Sequence, residues 1–246
     1  MAVKCRLKSL HLPEEITYKY IIRPRHCTED IHRRMYKDGC SSDELPETPP
    51  YDYSEESRLR NQTHTQFPVI EICCGTGDFL CSYALSEPQS SFIGIDWAMP
   101  VIERAAKKAY SAHINNLLFY CGAAEDFLEY DFKHLLFSRI LINFPDPWPK
   151  KRHLKRRLPS AELTVLLAEK LVPEGLIVAA TDLEWLHEWH MINFNSCRAL
   201  IPFPGSTRER PFDAYQGRSS YEIKGLNRNR LIYFAVFKKR NRSSVF

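Results

Sequence analysis

The chain has 246 residues, a formal net charge of +4, 44% hydrophobic and 26% charged residues. That is the balance of an ordinary globular protein, long enough for one sizeable domain plus an extension. It excludes a membrane-spanning segment, and the N-terminal Met-Ala-Val-Lys-Cys-Arg carries no long apolar signal core. Charge is uneven along the chain. Residues 1–142 hold 16 Lys/Arg and 20 Asp/Glu, whereas residues 143–246 hold 18 and 10. A positive second half suits an anionic partner. The eight cysteines form no C-x-x-C and no paired framework, as expected of reduced thiols in a cytoplasmic protein.

In chain order, residues 1–66 read as an N-terminal extension. Leu7 to Tyr20 mixes apolar residues and charges and could pack on a domain. Arg23, Arg25, His26, His32, Arg33 and Arg34 form a loose basic cluster, and Cys27 and Cys40 beside it match no zinc spacing, so no metal is expected. Asp43 to Glu56 has six acids, three prolines and no Lys/Arg, the composition of a flexible linker. From residue 67 to 240 the pattern becomes regular, and 241–246 is a short tail. Apolar runs predict strands over Val69–Cys73, Ser91–Asp96, Asn116–Cys121, Leu135–Ile142, Leu176–Ala180, Arg198–Phe203 and Arg230–Lys238. Helices are expected over Asp78–Ser86, Met99–Tyr110, Ala124–Tyr130, Pro159–Leu171 and Leu183–Phe194. Such alternation predicts an α/β fold, a mostly parallel seven-stranded sheet with helices on both faces.

In such sheets ligands bind beyond the C-terminal strand ends. Gly75-Thr-Gly77 turns the chain there, and Asp96 follows Gly75 by 21 residues, the interval of an acid that bonds ribose hydroxyls. The simpler reading of Asp96 is a helix cap, and that of Glu71 a strand-end acid satisfied by turn amides. Leu80 stands where a dinucleotide motif has its third glycine, and Asp78 and Glu71 are acidic. Two acids suit a cationic ligand without phosphates, and S-adenosylmethionine fits that description. The fourth strand then runs into Asn143-Phe-Pro-Asp-Pro-Trp-Pro149, whose alternate prolines can continue neither a ladder nor a helix. Asp146 and Trp148 sit between the prolines, and Lys150–Arg157 packs six Lys/Arg and one His into eight residues. The bland alternative is a proline turn with a solvated basic segment. A second basic set, Arg208, Arg210, Arg218, Lys224, Arg228 and Arg230, could extend the surface. His187-Glu-Trp-His190 has its histidines three apart rather than four, so the metalloprotease reading is rejected.

Four segments together carry a resemblance: Glu71-Ile-Cys-Cys-Gly-Thr-Gly, Gly94-Ile-Asp96, Asn143-Phe-Pro-Asp-Pro-Trp and Lys150-Lys-Arg-His-Leu-Lys-Arg-Arg157. They resemble the bacterial tRNA (guanine-N7)-methyltransferases, as do Thr181-Asp182, Ser219-Ser-Tyr-Glu222, Lys224-Gly225 and the final strand. The resemblance covers about residues 67–240. It implies a Rossmann-like class I S-adenosylmethionine-dependent methyltransferase acting on guanine N7 in tRNA, at position 46 of the variable loop. Glu71, Gly75, Gly77, Asp96, Ala124 and Asp146 would contact the cofactor. Asp146 would be the active-site acid, and Lys150, Asp182, Ser219, Ser220, Tyr221 and Glu222 would contact substrate. The sequence departs from the family at three points. Cys73 replaces a glycine, the acid expected near Ala124 is missing unless Glu125 or Asp126 supplies it, and Ser219-Ser220 replaces a Thr-(Lys/Arg) pair. Two other readings remain: methylation of an exocyclic amine, through a likeness to Asp-Pro-Pro-Tyr loops, and an RNA-binding protein that keeps the fold without activity. The expected partner is tRNA, with no membrane; a monomer is the default for the oligomeric state.

Overall fold

The structure is a computed structural model and describes residues 9–22, 67–203, 211 and 218–241. The basic cluster at 23–34, Cys27, Cys40, the acidic segment 43–56, Arg208, Arg210 and the last five residues lie outside the described residues. The chain divides into two compact units. No described helix is long and apolar enough to cross a membrane.

One unit holds Cys74–His134 together with the N-terminal residues. Its elements are α1 (Glu14–Tyr20), β1 (Ile21–Ile22), α2 (Asp78–Ser86), β3 (Phe92–Asp96), α3 (Met99–Ser111), β4 (Leu117–Cys121) and α4 (Ala124–Asp126), which widens into a π-helical turn over Phe127–Asp131. β1 and β3 flank β4, both parallel to it. All of β4 and the first four residues of β3 are buried, the near-continuous apolar run of strands covered on both faces. α3 begins with Pro100 in its first turn and buries Met99, Ile102, Ala105, Ala106 and Ala109 at helical spacing. Glu103 on α3 is also buried. It accepts from Ser9 Oγ at 2.7 and 2.9 Å and from the Leu10 N–H at 2.6 Å. The Tyr20 hydroxyl donates to the Ile114 carbonyl at 2.7 Å. The described part of the N-terminal extension is thus fastened to α3 and β4.

The other unit holds Phe67–Cys73 and Leu135 onward. It comprises β2 (Val69–Ile72), β5 (Phe137–Asn143), a 3-10 helix (Lys151–Arg156), α5 (Ala161–Lys170), β6 (Leu171–Thr181), α6 (Glu184–Ser196), β7 (Leu200–Pro202), α7 (Ser220–Leu226) and β8 (Tyr233–Lys239). The strand order is β2-β5-β6-β8-β7. The first three strands are parallel, and β8 and β7 are antiparallel. β6 starts five residues earlier than the sequence predicts. Leu171 pairs with Phe137 and Leu176 with Arg139, so residues 172–175 form a bulge with Glu174 at φ +64°. α5 starts at Ala161 because Ser160 caps it, accepting from the Leu163 N–H at 3.1 Å.

All seven expected strands are present among the described residues. The eighth, β1, has two residues, too few for an apolar run to stand out. α7 was read as a motif rather than a helix, although Ser219-x-x-Glu222 is a capping-box spacing. Ser219 Oγ accepts from the Glu222 N–H at 3.0 Å.

Candidate active site

The turn after β2 is built from left-handed backbone. Cys73, Gly75 and Gly77 have φ of +63°, +55° and +71°. The Gly75 N–H donates to Asp96 Oδ2 at 3.0 Å, and the Ala98 N–H reaches Oδ1 at 3.4 Å. Asp96 therefore fixes the glycine turn from the end of β3. It is not the cap of α3, whose N-cap is Ala98. The two glycines differ in purpose. A Cβ on Gly75 would meet nothing within 4 Å, so that face is open to a ligand. A Cβ on Gly77 would come within 2.9 Å of Ala105 Cβ and 3.1 Å of the Phe119 ring, so Gly77 permits close packing.

Asp78 does not stand as an isolated acid. Lys108 Nζ bonds its Oδ1 and also donates to the Thr76 carbonyl at 2.9 Å, while Thr76 Oγ1 donates to Oδ2 at 2.8 Å. Its charge is offset by Lys108, so the sequence argument that Asp78 repels phosphate loses its force. Ala124 is buried at the start of α4, with Glu125 exposed and Asp126 half-buried beside it.

In the second unit, Glu71 near the end of β2 is buried and accepts from Asn143 Nδ2, on β5, at 2.7 Å. Immediately after β5 the chain enters the proline loop. Phe144 and Trp148 both have left-handed backbone, φ +47° and +41°. The Phe144 N–H donates to the Ala180 carbonyl of β6 at 2.8 Å. Its ring stacks on Tyr221 of α7, with centroids 6.3 Å apart and an interplanar angle of 19°. Asp146 lies on the exposed rim of this loop. Desolvation of its carboxyl pushes its pKa above the usual aspartate value.

The basic run divides into two groups. Lys150, Lys151, Arg152 and Lys155 are exposed on and beside the 3-10 helix. Arg156 lies over the Trp148 ring, 4.8 Å from its centroid, and His153 meets that ring edge-on at 5.2 Å. Arg157 turns back instead. Its Nε donates to the Trp148 carbonyl at 3.0 Å and its Nη2 to the Pro149 carbonyl at 3.1 Å.

Asp182, after β6, pairs with Arg230, Nη1 to Oδ2 at 2.5 Å. Ser219 is buried and spends its hydroxyl on the cap of α7. Glu222 is buried, 4.0 Å from Arg218 Nε, and Tyr221 is exposed with Lys224 over its ring at 5.4 Å. Ser220 opens the helix, half-buried. His190 in α6 is buried, and desolvation lowers its pKa to about 3; His187 stacks on Tyr233 with centroids 5.4 Å apart. Neither histidine belongs to a metal-type cluster among the described residues.

The 21-residue interval singles out Gly75 and Asp96, and the structure joins the two by a hydrogen bond that the interval does not foretell. Sequence reasoning missed Asn143, Lys108 and Arg230 as partners of Glu71, Asp78 and Asp182. Asn143 carried a faint signal, a polar residue closing an apolar strand. Lys108 and Arg230 carried none, because their partners lie 30 and 48 residues away.

Comparison with known proteins accords with this geometry. The fold is that of the Rossmann-like methyltransferases. An aminoglycoside resistance methyltransferase, NpmB1, superposes with a TM-score of 0.56 at 16% identity, over 79% of this chain and 98% of that one. Residues 65–235 match a family model described as "Putative methyltransferase". A tRNA (guanine-N(7)-)-methyltransferase of Listeria monocytogenes is 34% identical over 66% of this chain and 78% of its own length. The chain belongs to the tRNA (guanine-N(7)-)-methyltransferase family. A Chlamydia caviae relative of the same name is 37% identical, over 46% of this chain and 50% of its own, so the chain spans about half the length of such relatives.

Proposed function

We propose that this chain transfers a methyl group from S-adenosylmethionine to N7 of a guanine in tRNA, position 46 of the variable loop being the target. The observation that carries the proposal is Asp146, held at the rim of a doubly anchored loop after β5 and followed by an exposed basic helix. The glycine turn fits the cofactor, since the open face of Gly75 leaves room for it and Asp96 is fixed at a strand end. In the first unit Gly75, Gly77, Asp96 and Ala124 would hold it, Gly77 by letting the turn pack closely. When bound, S-adenosylmethionine supplies an electrophilic methyl group on a sulfonium.

Guanine N7 offers an in-plane lone pair and no proton, so no residue of this chain has to act as a base toward it. Positioning dominates, and alignment of reacting groups can contribute about 7–11 kcal/mol at most. Asp182, Lys150 and the Ser219–Glu222 block would orient the guanosine, with Ser219 acting through the α7 cap. Asp146, when ionised, stabilises the positive charge that develops on the base or accepts from its N–H donors. Methylation of an exocyclic amine, in contrast, would require a proton to leave. Lys151, Arg152 and Lys155 would meet tRNA phosphates, giving affinity without sequence information. The described cysteines are thiols, in keeping with a cytoplasmic site of action. The proposal includes no metal.

Asp146→Ala tests the assignment. Transfer of labelled methyl to tRNA should fall to background while tRNA binding, measured by filter retention, stays within about twofold. Normal turnover in the variant would remove Asp146 from the chemistry.

A further inference from the structure

The proline loop combines two strained residues with a carboxylate that must be held in place. Non-glycine residues at left-handed φ persist only where surrounding contacts over-determine them. At the upstream end Phe144 is fixed by its N–H bond to Ala180 and by the Tyr221 ring. At the downstream end one side chain, Arg157, donates to both the Trp148 and the Pro149 carbonyls. Its guanidinium also lies against two indoles of α6, 4.7 Å from the Trp185 centroid and 5.4 Å from the Trp189 centroid. Trp189 is itself oriented by a bond from its Nε1 to the Pro159 carbonyl at 2.8 Å. A planar fork with two parallel donors and a stackable face is arginine chemistry, which a lysine cannot reproduce.

We propose that Arg157 is a positioning residue for Asp146. It ties the downstream end of the loop to α6 and does not bind RNA, although it closes a run of basic residues whose exposed members face solvent. The proposal rests on the reading of Asp146 in methyl transfer.

The test uses the full chain with Arg157→Lys and Arg157→Gly. Arg157→Lys keeps the charge and loses the fork. Its kcat should fall about 100-fold, the scale of a small misplacement of a reacting group, with KM for tRNA and the salt dependence of binding unchanged. Arg157→Gly should recover activity when methylguanidinium is added at millimolar concentration. Hydrogen exchange at the Asp146 and Trp148 amides should quicken in both variants while the amides of β5 and β6 keep their protection. The proposal is overturned if Arg157→Lys keeps its kcat, or if the loss falls on KM and the salt slope drops by about one, the signature of a lost phosphate contact. Should the wild-type chain not methylate tRNA, the functional reading fails on its own account. The exchange measurement then decides the role of Arg157: unchanged exchange at Asp146 and Trp148 overturns it.

Discussion

Cys73 shows how one departure from a family pattern is accommodated. Its position requires φ +63°, a conformation that glycine adopts freely. A side chain there costs about 1–2 kcal/mol, and the extra freedom of glycine in the unfolded chain returns about 0.5–1 kcal/mol of that on replacement. Cys73→Gly should therefore be neutral or stabilising by up to about 1.5 kcal/mol in a urea melt. Cys73→Val, with a branched Cβ at positive φ, should destabilise by more than about 1 kcal/mol. Equal midpoints for the two variants would mean that the turn relaxes. At this scale the sequence was legible where one residue has one task. Gly75 and Asp96 stand out by their interval, and a direct bond between them is what the structure adds. Asp78 was misread because the lysine that offsets it sits on a different element, α3. Ser219, a candidate substrate contact, also accepts from the Glu222 N–H at the start of its own helix, a local role its sequence spacing signals.

Among elements, the 3-10 helix Lys151–Arg156 has the plainest consequence. Its exposed cations project with no acid in its own sequence to pair them. If Lys151, Arg152 and Lys155 meet phosphates, replacing all three by Ser removes up to three contacts. The slope of log K against log salt should fall by about 2–3, with KM for tRNA raised and kcat preserved. An unchanged slope would leave the helix a solvated face. Arg157 must be kept in this experiment, since its removal would disturb the loop as well. The helix itself was not predicted, because a basic run has no apolar period to reveal its geometry. β2, β3 and β4 were predictable because burial on both faces makes them continuous apolar runs, whereas β7 is only partly buried. β6 was cut short at Leu176 because Pro173 and Gly175 mark the bulge, which interrupts the ladder without ending the strand. α1 and β1 are short, and the contacts that hold them, Tyr20 to the Ile114 carbonyl and β1 to β4, are remote in sequence.

Over the whole molecule, the basic helix lies in one unit and the glycine turn Gly75–Gly77 in the other. Each half carries one part of the proposed chemistry, a nucleoside-type cofactor turn and a carboxylate loop with cations for RNA. The central claim is methylation at guanine N7, and chain cleavage reads it directly. tRNA lacking N7-methylguanosine is incubated with the full chain and labelled S-adenosylmethionine, then treated with borohydride and aniline. The account predicts label in the tRNA and a single break at the methylated guanosine of the variable loop. Label without a break would mean that another atom receives the methyl group, and no label would contradict the account altogether.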